Sequence, residues 1–223
     1  MIKNRFGIVL LITLSISFML LMSTCKKKNS EINFTGKVID PGNNQAVSDA
    51  IVTLSSTSVQ SWVYNSNFQD IASMNSGQDG SFVFKFKEQA ASAYRIYIYK
   101  NNYFSNTTVI NATEVSAESG YNKAFELSPE ATITLKIKNT MPHDSTDRIL
   151  FKIVQGAVTS LNGCPEAYIN GRGKEYDTTL TCKTYGNRYF KIESNITKGA
   201  NTVLRRDSIH LNPFVTTGLE IDY

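Results

Sequence analysis

The sequence predicts an all-β protein, built as two tandem β-sandwich domains. Three observations carry this. Beyond Glu31, almost every apolar pattern has a period of two: Phe82, Phe84 and Phe86 alternate with Val83, Lys85 and Lys87, and Ile133, Leu135 and Ile137 alternate with Thr134, Lys136 and Lys138. Successive side chains of a strand point to opposite faces, so this is the pattern of half-buried strands. No window of helical length carries an apolar stripe at helical spacing. Gly, Asn, Asp and Ser recur at short intervals, the turn chemistry that sandwiches of short strands require.

The first element is residues 1–24. Lys3 and Arg5 precede a mostly apolar run from Phe6 to Met22, and Ser23, Thr24 and Cys25 follow, then Lys26, Lys27 and Lys28. A charged start, an apolar middle and small residues before a cysteine resemble a bacterial lipoprotein signal peptide. Thr24 stands where Gly, Ala or Ser is usual. The resemblance implies that Cys25 is acylated, becomes the first mature residue and anchors the chain in membrane. An uncleaved membrane helix is the competing reading, since the run approaches the roughly 20 residues needed to span a bilayer. The cysteine at its end favours lipidation. Residues 25–31 then form a lipidated tether, and the address is the cell envelope, with an outer-membrane anchor facing either the periplasm or the surface.

Residues 32–128 form the first sandwich. Phe34-Thr35-Gly36-Lys37-Val38-Ile39-Asp40 reads as a strand with a close-packed glycine, followed by a turn at Pro41-Gly42-Asn43-Asn44. Ala50, Val52 and Leu54 share one face of the next strand. Gly77-Gln78-Asp79-Gly80-Ser81-Phe82 reads as a hairpin in which Gly80 takes the positive φ the turn demands. Tyr94 to Ile98 is another strand, ending at Asn102-Tyr103. These segments resemble the carboxypeptidase regulatory-like, transthyretin-type β-sandwich, with Ala46 in place of a usual proline and Asn102 in place of a usual glycine. The resemblance implies a non-catalytic spacer or binding unit, and its motifs are those of turns and core.

Residues 129–223 read as a second β-sandwich without a recognisable family. Strands are expected at 133–138, 148–154, 188–192, 203–211 and 219–223. Cys164 and Cys182 lie in this half, eighteen positions apart. With Cys25 assigned to lipid they are one disulfide pair or two buried thiols. A bridge would close a loop worth about 3 kcal/mol and restrain the Gly-rich stretch Asn170-Gly171-Arg172-Gly173. Their spacing, with no local His pair, is not that of a zinc site.

Charge excludes one class of partner. The chain carries 23 Lys and Arg against 19 Asp and Glu, but Lys3, Arg5 and Lys26 to Lys28 account for five of the basic residues. What remains is a nearly neutral β body, so nucleic acid is not an expected partner. No cofactor or metal is expected either. The lysine triplet lies against anionic lipid or is a solvated spacer.

Two groups are candidates for function. Trp62, Tyr64 and Phe68 sit in a polar stretch where the resembled family has a short connection, and Tyr97 and Tyr99 lie opposite the face of Ile96 and Ile98. Such aromatic rings stack on sugars or on partner surfaces, or else cap the core and pack against the second domain. The other group is the loop His143-Asp144-Ser145-Thr146-Asp147, the densest polar cluster. His210, the remaining histidine, belongs with Arg206 and Ser208 on the polar face of a strand, as Glu220 and Asp222 do on theirs. Asp144-Ser145-Thr146, Asp177-Thr178-Thr179 and Asp207-Ser208-Ile209 resemble a bacterial O-glycosylation acceptor.

The expected function is a membrane-anchored, non-catalytic binding or assembly module for a protein or glycan. The alternatives are an envelope hydrolase using the His143 to Asp147 loop, and a structural adhesion or fibre subunit with an open edge strand.

Overall fold

The computed structural model describes residues 31–60, 63–118 and 120–223. The expected signal peptide, Cys25 and Trp62 lie outside the described residues, as does all of the expected tether but Glu31. Among the described residues, fourteen strands account for nearly all regular structure, with one 3-10 turn at Ala112–Glu114. Among the described residues no helix is long and apolar enough to cross a membrane.

The first half folds from β1 (Glu31–Ile39), β2 (Ile51–Gln60), β3 (Val63–Asn75), β4 (Ser81–Lys87), β5 (Ala93–Tyr99), β6 (Asn106–Asn111) and β7 (Tyr121–Glu126). These pair as a three-stranded sheet β4-β1-β7 and a four-stranded sheet β3-β2-β5-β6. The expected alternation holds: Ile32, Phe34 and Val38 of β1, and Val52 and Leu54 of β2, are buried, as are Phe82, Phe84, Ile96 and Ile98. These inward rows form one core with Tyr94, Tyr121, Phe125 and Leu127. Burying a side chain of this size contributes about 1.5–3 kcal/mol. Gly36 is required by packing, since a Cβ there would stand 2.4 Å from the Phe82 ring. Gly80 has φ +78°, the left-handed geometry its hairpin was expected to need.

The second half folds from β8 (Glu130–Lys138), β9 (Arg148–Gln155), β10 (Ile169–Arg172), β11 (Asp177–Tyr185), β12 (Arg188–Lys198), β13 (Asn201–Leu211) and β14 (Thr216–Asp222). Its sheets are β11-β8-β14 and β10-β9-β12-β13. Each strand therefore takes the place of the strand seven before it. The parallel pairing of first and last strand recurs too, β1 with β7 and β8 with β14. A second core contains Ile133, Leu135, Ile137, Phe151, Phe190 and Ile192. Two strands here escape the sequence reading. β10 occupies part of the Gly-rich stretch and is held by its pairing along β9. β11 has only partial alternation and is held by its pairing along β8. Cys164 and Cys182 form a disulfide, with Cα atoms 4.9 Å apart, beside this core.

The two halves meet through polar and aromatic contacts. Asn187 donates its side-chain amide to Asp40 at 2.6 Å. Tyr103 packs on Phe214 and Phe104 on Tyr185, with ring centres 5.4 and 5.1 Å apart. A backbone bond runs from Glu130 N–H to the Asn102 carbonyl.

Candidate functional site

Three of the sequence candidates meet on the outer face of the sheet β3-β2-β5-β6. Pairing sets them there: Thr53 lies opposite Ser73 on one side and Tyr97 on the other, and Tyr97 opposite Thr107. One step along, Ser55 pairs with Asp70 and Arg95. Since Ile96 and Ile98 fill the core, Tyr97 and Tyr99 must face outward, and they are exposed. Phe68 arrives from β3 and lies under the Arg95 guanidinium, 4.6 Å from carbon to ring centre. Tyr64 lies in β3, its backbone paired with Val59.

Polar groups connect this surface. Ser55 donates its hydroxyl to Asp70 at 2.8 Å, and Arg95 reaches Ser55 at 3.3 Å. The Arg95 Nε hydrogen is buried and has no acceptor. Thr53 and Ser73 share a hydrogen bond at 3.1 Å. Thr53, Asp70, Arg95, Tyr97 and Thr107 line an open depression of about 380 Å³. An arginine stacked on a ring is pre-organised, because the ring fixes its plane and little entropy remains to be lost on binding. The arrangement suits recognition of hydroxyls and carbonyls beside an apolar ring face. Phe68 and the tyrosines were legible in the sequence; Arg95 and Asp70 were not, since only strand register shows that they share a face.

The His143 loop does something different. Asp147 is fully buried, and its carboxylate accepts from the Asn139 amide at 2.9 Å, from His143 N–H at 2.8 Å and from Asp144 N–H at 3.2 Å. Lys198 stands 3.8 Å from the same carboxylate, donates to Asn139 Oδ1 at 2.8 Å and also bonds the Met141 carbonyl. The Asn139 hydrogen bond, with the two backbone donors and Lys198, holds the Asp147 carboxyl below its ordinary pKa. Hydrogen bonds from Thr146, and then His143, do the same for Asp144. Tyr223, buried nearby with its ring 5.2 Å from Lys198 Nζ, has its phenol pushed up to about 12 by burial.

One ligand atom each from His143, Asp144 and Asp147 lies within 4.8 Å of the others, so these residues could hold a cation. Their atoms are already engaged. His143 Nδ1 bonds Asp144, and the Lys198 ammonium occupies the approach to Asp147, where a second cation would be repelled. The loop is built as a turn around a buried acceptor. His210 is on the outer face of β13, stacked edge-on against Tyr189 at 5.3 Å. Of the three resembled glycosylation triplets, Asp144-Ser145-Thr146 lies in this turn, while the others lie in β11 and β13.

No family model matches the chain, and no curated protein does. Among solved structures, the chain is similar to the Bacillus anthracis TIE protein, at 14% identity and a TM-score of 0.35 over 86% of this chain and 34% of that one. It thus spans about a third of the TIE protein's length. It is also similar to the shaft pilin SpaA from Lactobacillus rhamnosus GG, at 8% identity and 0.32, covering 86% of this chain and 97% of the pilin. The 3-chlorocatechol 1,2-dioxygenase from Rhodococcus opacus 1CP matches at 11% and 0.33 over 46% of this chain and 60% of the enzyme. A shaft pilin and a dioxygenase stand side by side here, and similarities of this size carry no argument about function.

Proposed function

We propose that this protein is a non-catalytic binding module of a bacterial envelope, lipid-anchored at the outer membrane through Cys25 and taking a neutral glycan or peptide ligand on its first sandwich. The observation that carries the reading is the depression lined by Thr53, Asp70, Arg95, Tyr97 and Thr107. Arg95 and Asp70 supply directional bonds there, and Tyr97 and Phe68 supply ring surface at low entropic cost. The resemblance of residues 34–127 to carboxypeptidase regulatory-like sandwiches supports the same reading, as units of that kind serve beside other domains. The apolar run before Cys25 supports the anchor.

Titrating a panel of neutral oligosaccharides and short peptides by calorimetry tests this. At least one binder is expected, weakened about tenfold or more by Tyr97→Ala and by Arg95→Ala. An empty panel, or a binder indifferent to both changes, overturns it. For the anchor, Cys25→Ser is expected to release the protein from the membrane fraction, and retention there overturns lipidation.

A second reading, assembly into protein polymers, is favoured by the edge strand β13, whose eleven residues include the exposed Val203 and Leu204. An edge of that length is a template for another strand. Light scattering across a concentration series separates the two, since assembly requires mass to rise with concentration.

A further inference from the structure

The outer face of β10-β9-β12-β13 is strongly cationic, although the chain without its first 28 residues is nearly neutral. Register puts Arg148, Lys152, Arg172, Lys191 and Arg206 on this one face, opposite the buried Ile149, Phe151, Phe190 and Ile192. Among the described residues of these strands, its carboxylate is Glu193, flanked in register by Lys152 and Arg206 and bonded to Arg206 at 2.9 Å. Glu166 stands at the margin, in a depression it shares with Lys152 and Gln155.

One pairing has no account in folding. Arg172 lies directly opposite Arg148 on neighbouring strands. Like charges placed so are destabilising, and elsewhere the sheets follow the opposite rule: Glu31 faces Lys87, Asp177 faces Lys138 and Glu220 faces Lys136. Arg148 is held in position by Asn170, to which its Nε donates at 2.8 Å. The two arginines are thus cross-strand neighbours, with the Arg148 guanidinium held in place.

We propose that this face binds an acidic polysaccharide, with the arginine pair at one end and Tyr189 at the other. Along β12 the cationic stripe runs from the position of Thr197, beside Arg148, to Tyr189, a length of about 27 Å at the usual strand rise. That accommodates several sugar units of an extended chain. Charge complementarity selects a polyanion, and the groups between the cations select a glycan among polyanions. Asn170, Asn195 and Thr197 present amides and a hydroxyl that can bond sugar hydroxyls, and Tyr168 and Tyr189, 62% and 53% exposed, present rings. Lys152 already sits over the Tyr168 ring at 5.5 Å, which places a cation beside a stacking surface. Leu150 and Leu204 also lie on this face, level with Asn195, so a lipid surface is one arm of the test. The face lies on a different sheet and sandwich from the neutral-ligand depression, so either proposal can fail alone.

The test uses the purified chain and polygalacturonate, with neutral dextran, phosphatidylglycerol vesicles and single-stranded DNA in parallel. Polygalacturonate is expected to bind at about 50 mM salt and to weaken at least tenfold by about 500 mM, as screening requires. Arg172→Gln is expected to weaken binding by about tenfold while leaving Tm unchanged or raised, because it removes the like-charge pair. Lys152→Gln with Lys191→Gln provides a second variant that leaves the arginine pair intact and is expected to weaken binding similarly. Absence of polygalacturonate binding overturns the proposal, as does binding that neither variant weakens. Vesicles or DNA bound as tightly as polygalacturonate at equal ionic strength would show a response to charge alone, and would overturn the assignment to a glycan.

Discussion

At the scale of single residues, the most informative position is Asp147. The sequence marked its loop as the densest polar cluster; the structure makes the aspartate the acceptor around which the turn is wound. That role is invisible in sequence because its partners, Asn139 and Lys198, come from the ends of β8 and β12. Its depressed pKa fixes the sign of a pH effect. A carboxylate whose folded pKa lies below its ordinary value, 3.8, contributes stability that is present above that value. The contribution is lost as pH falls through the folded pKa. Asp147→Asn keeps the shape but loses the ion pair with Lys198 and one acceptor. Thermal melts across pH should therefore show a Tm lowered by several degrees at pH 7 and a shallower acid-side decline than in the parent. Asp144, Asp79 and Glu114 are shifted the same way, so some decline persists. An acid limb identical in parent and variant would contradict this account.

At the scale of elements, legibility followed burial on one face. β1, β2, β4, β5, β8 and β9 each alternate cleanly between core and solvent, and the sequence located all of them. β10 and β11 were missed because pairing, more than alternation, makes them strands. β10 has only four residues, two of them Asn170 and Gly171, and owes its place to the ladder with β9. The disulfide belongs to the same region. Cys182 lies on β11, and Cys164 lies in the loop before β10, so the bond ties the β9–β10 connection to the opposite sheet. Closing a loop of that separation is worth about 3 kcal/mol. Replacing both cysteines by alanine should thus lower Tm by roughly 6–12 °C for a chain of this size. Calorimetry with intact-mass confirmation of the parent's oxidised state checks it, and an unchanged Tm would mean that the loop is already closed by the ladders.

At the scale of the whole molecule, what the sequence hid was repetition. The second half reuses the strand order of the first, yet no motif recurs, because a sandwich requires only apolar residues at inward positions and turn chemistry between them. Turn-and-core motifs carried the first half's resemblance, and the second half satisfies the same topology with other residues. Two copies of one architecture need not unfold together, and here the junction decides. Asn187 has a positive φ of 56°, and its amide bonds Asp40, which is itself 5% exposed. A hydrogen bond to a charged group contributes about 1.5–3 kcal/mol, and the Phe104–Tyr185 ring pair about 0.5–1.5 kcal/mol beyond its burial. Coupling of that order is enough to keep two sandwiches in one transition if their own stabilities are similar. Asn187→Gly removes the amide while keeping a residue at ease with positive φ, and Phe104→Ala removes the ring. Scanning calorimetry of the parent should show one cooperative endotherm, and the double variant should show two. A parent already resolved into two endotherms, or a double variant still melting as one, would place the coupling elsewhere than in this junction.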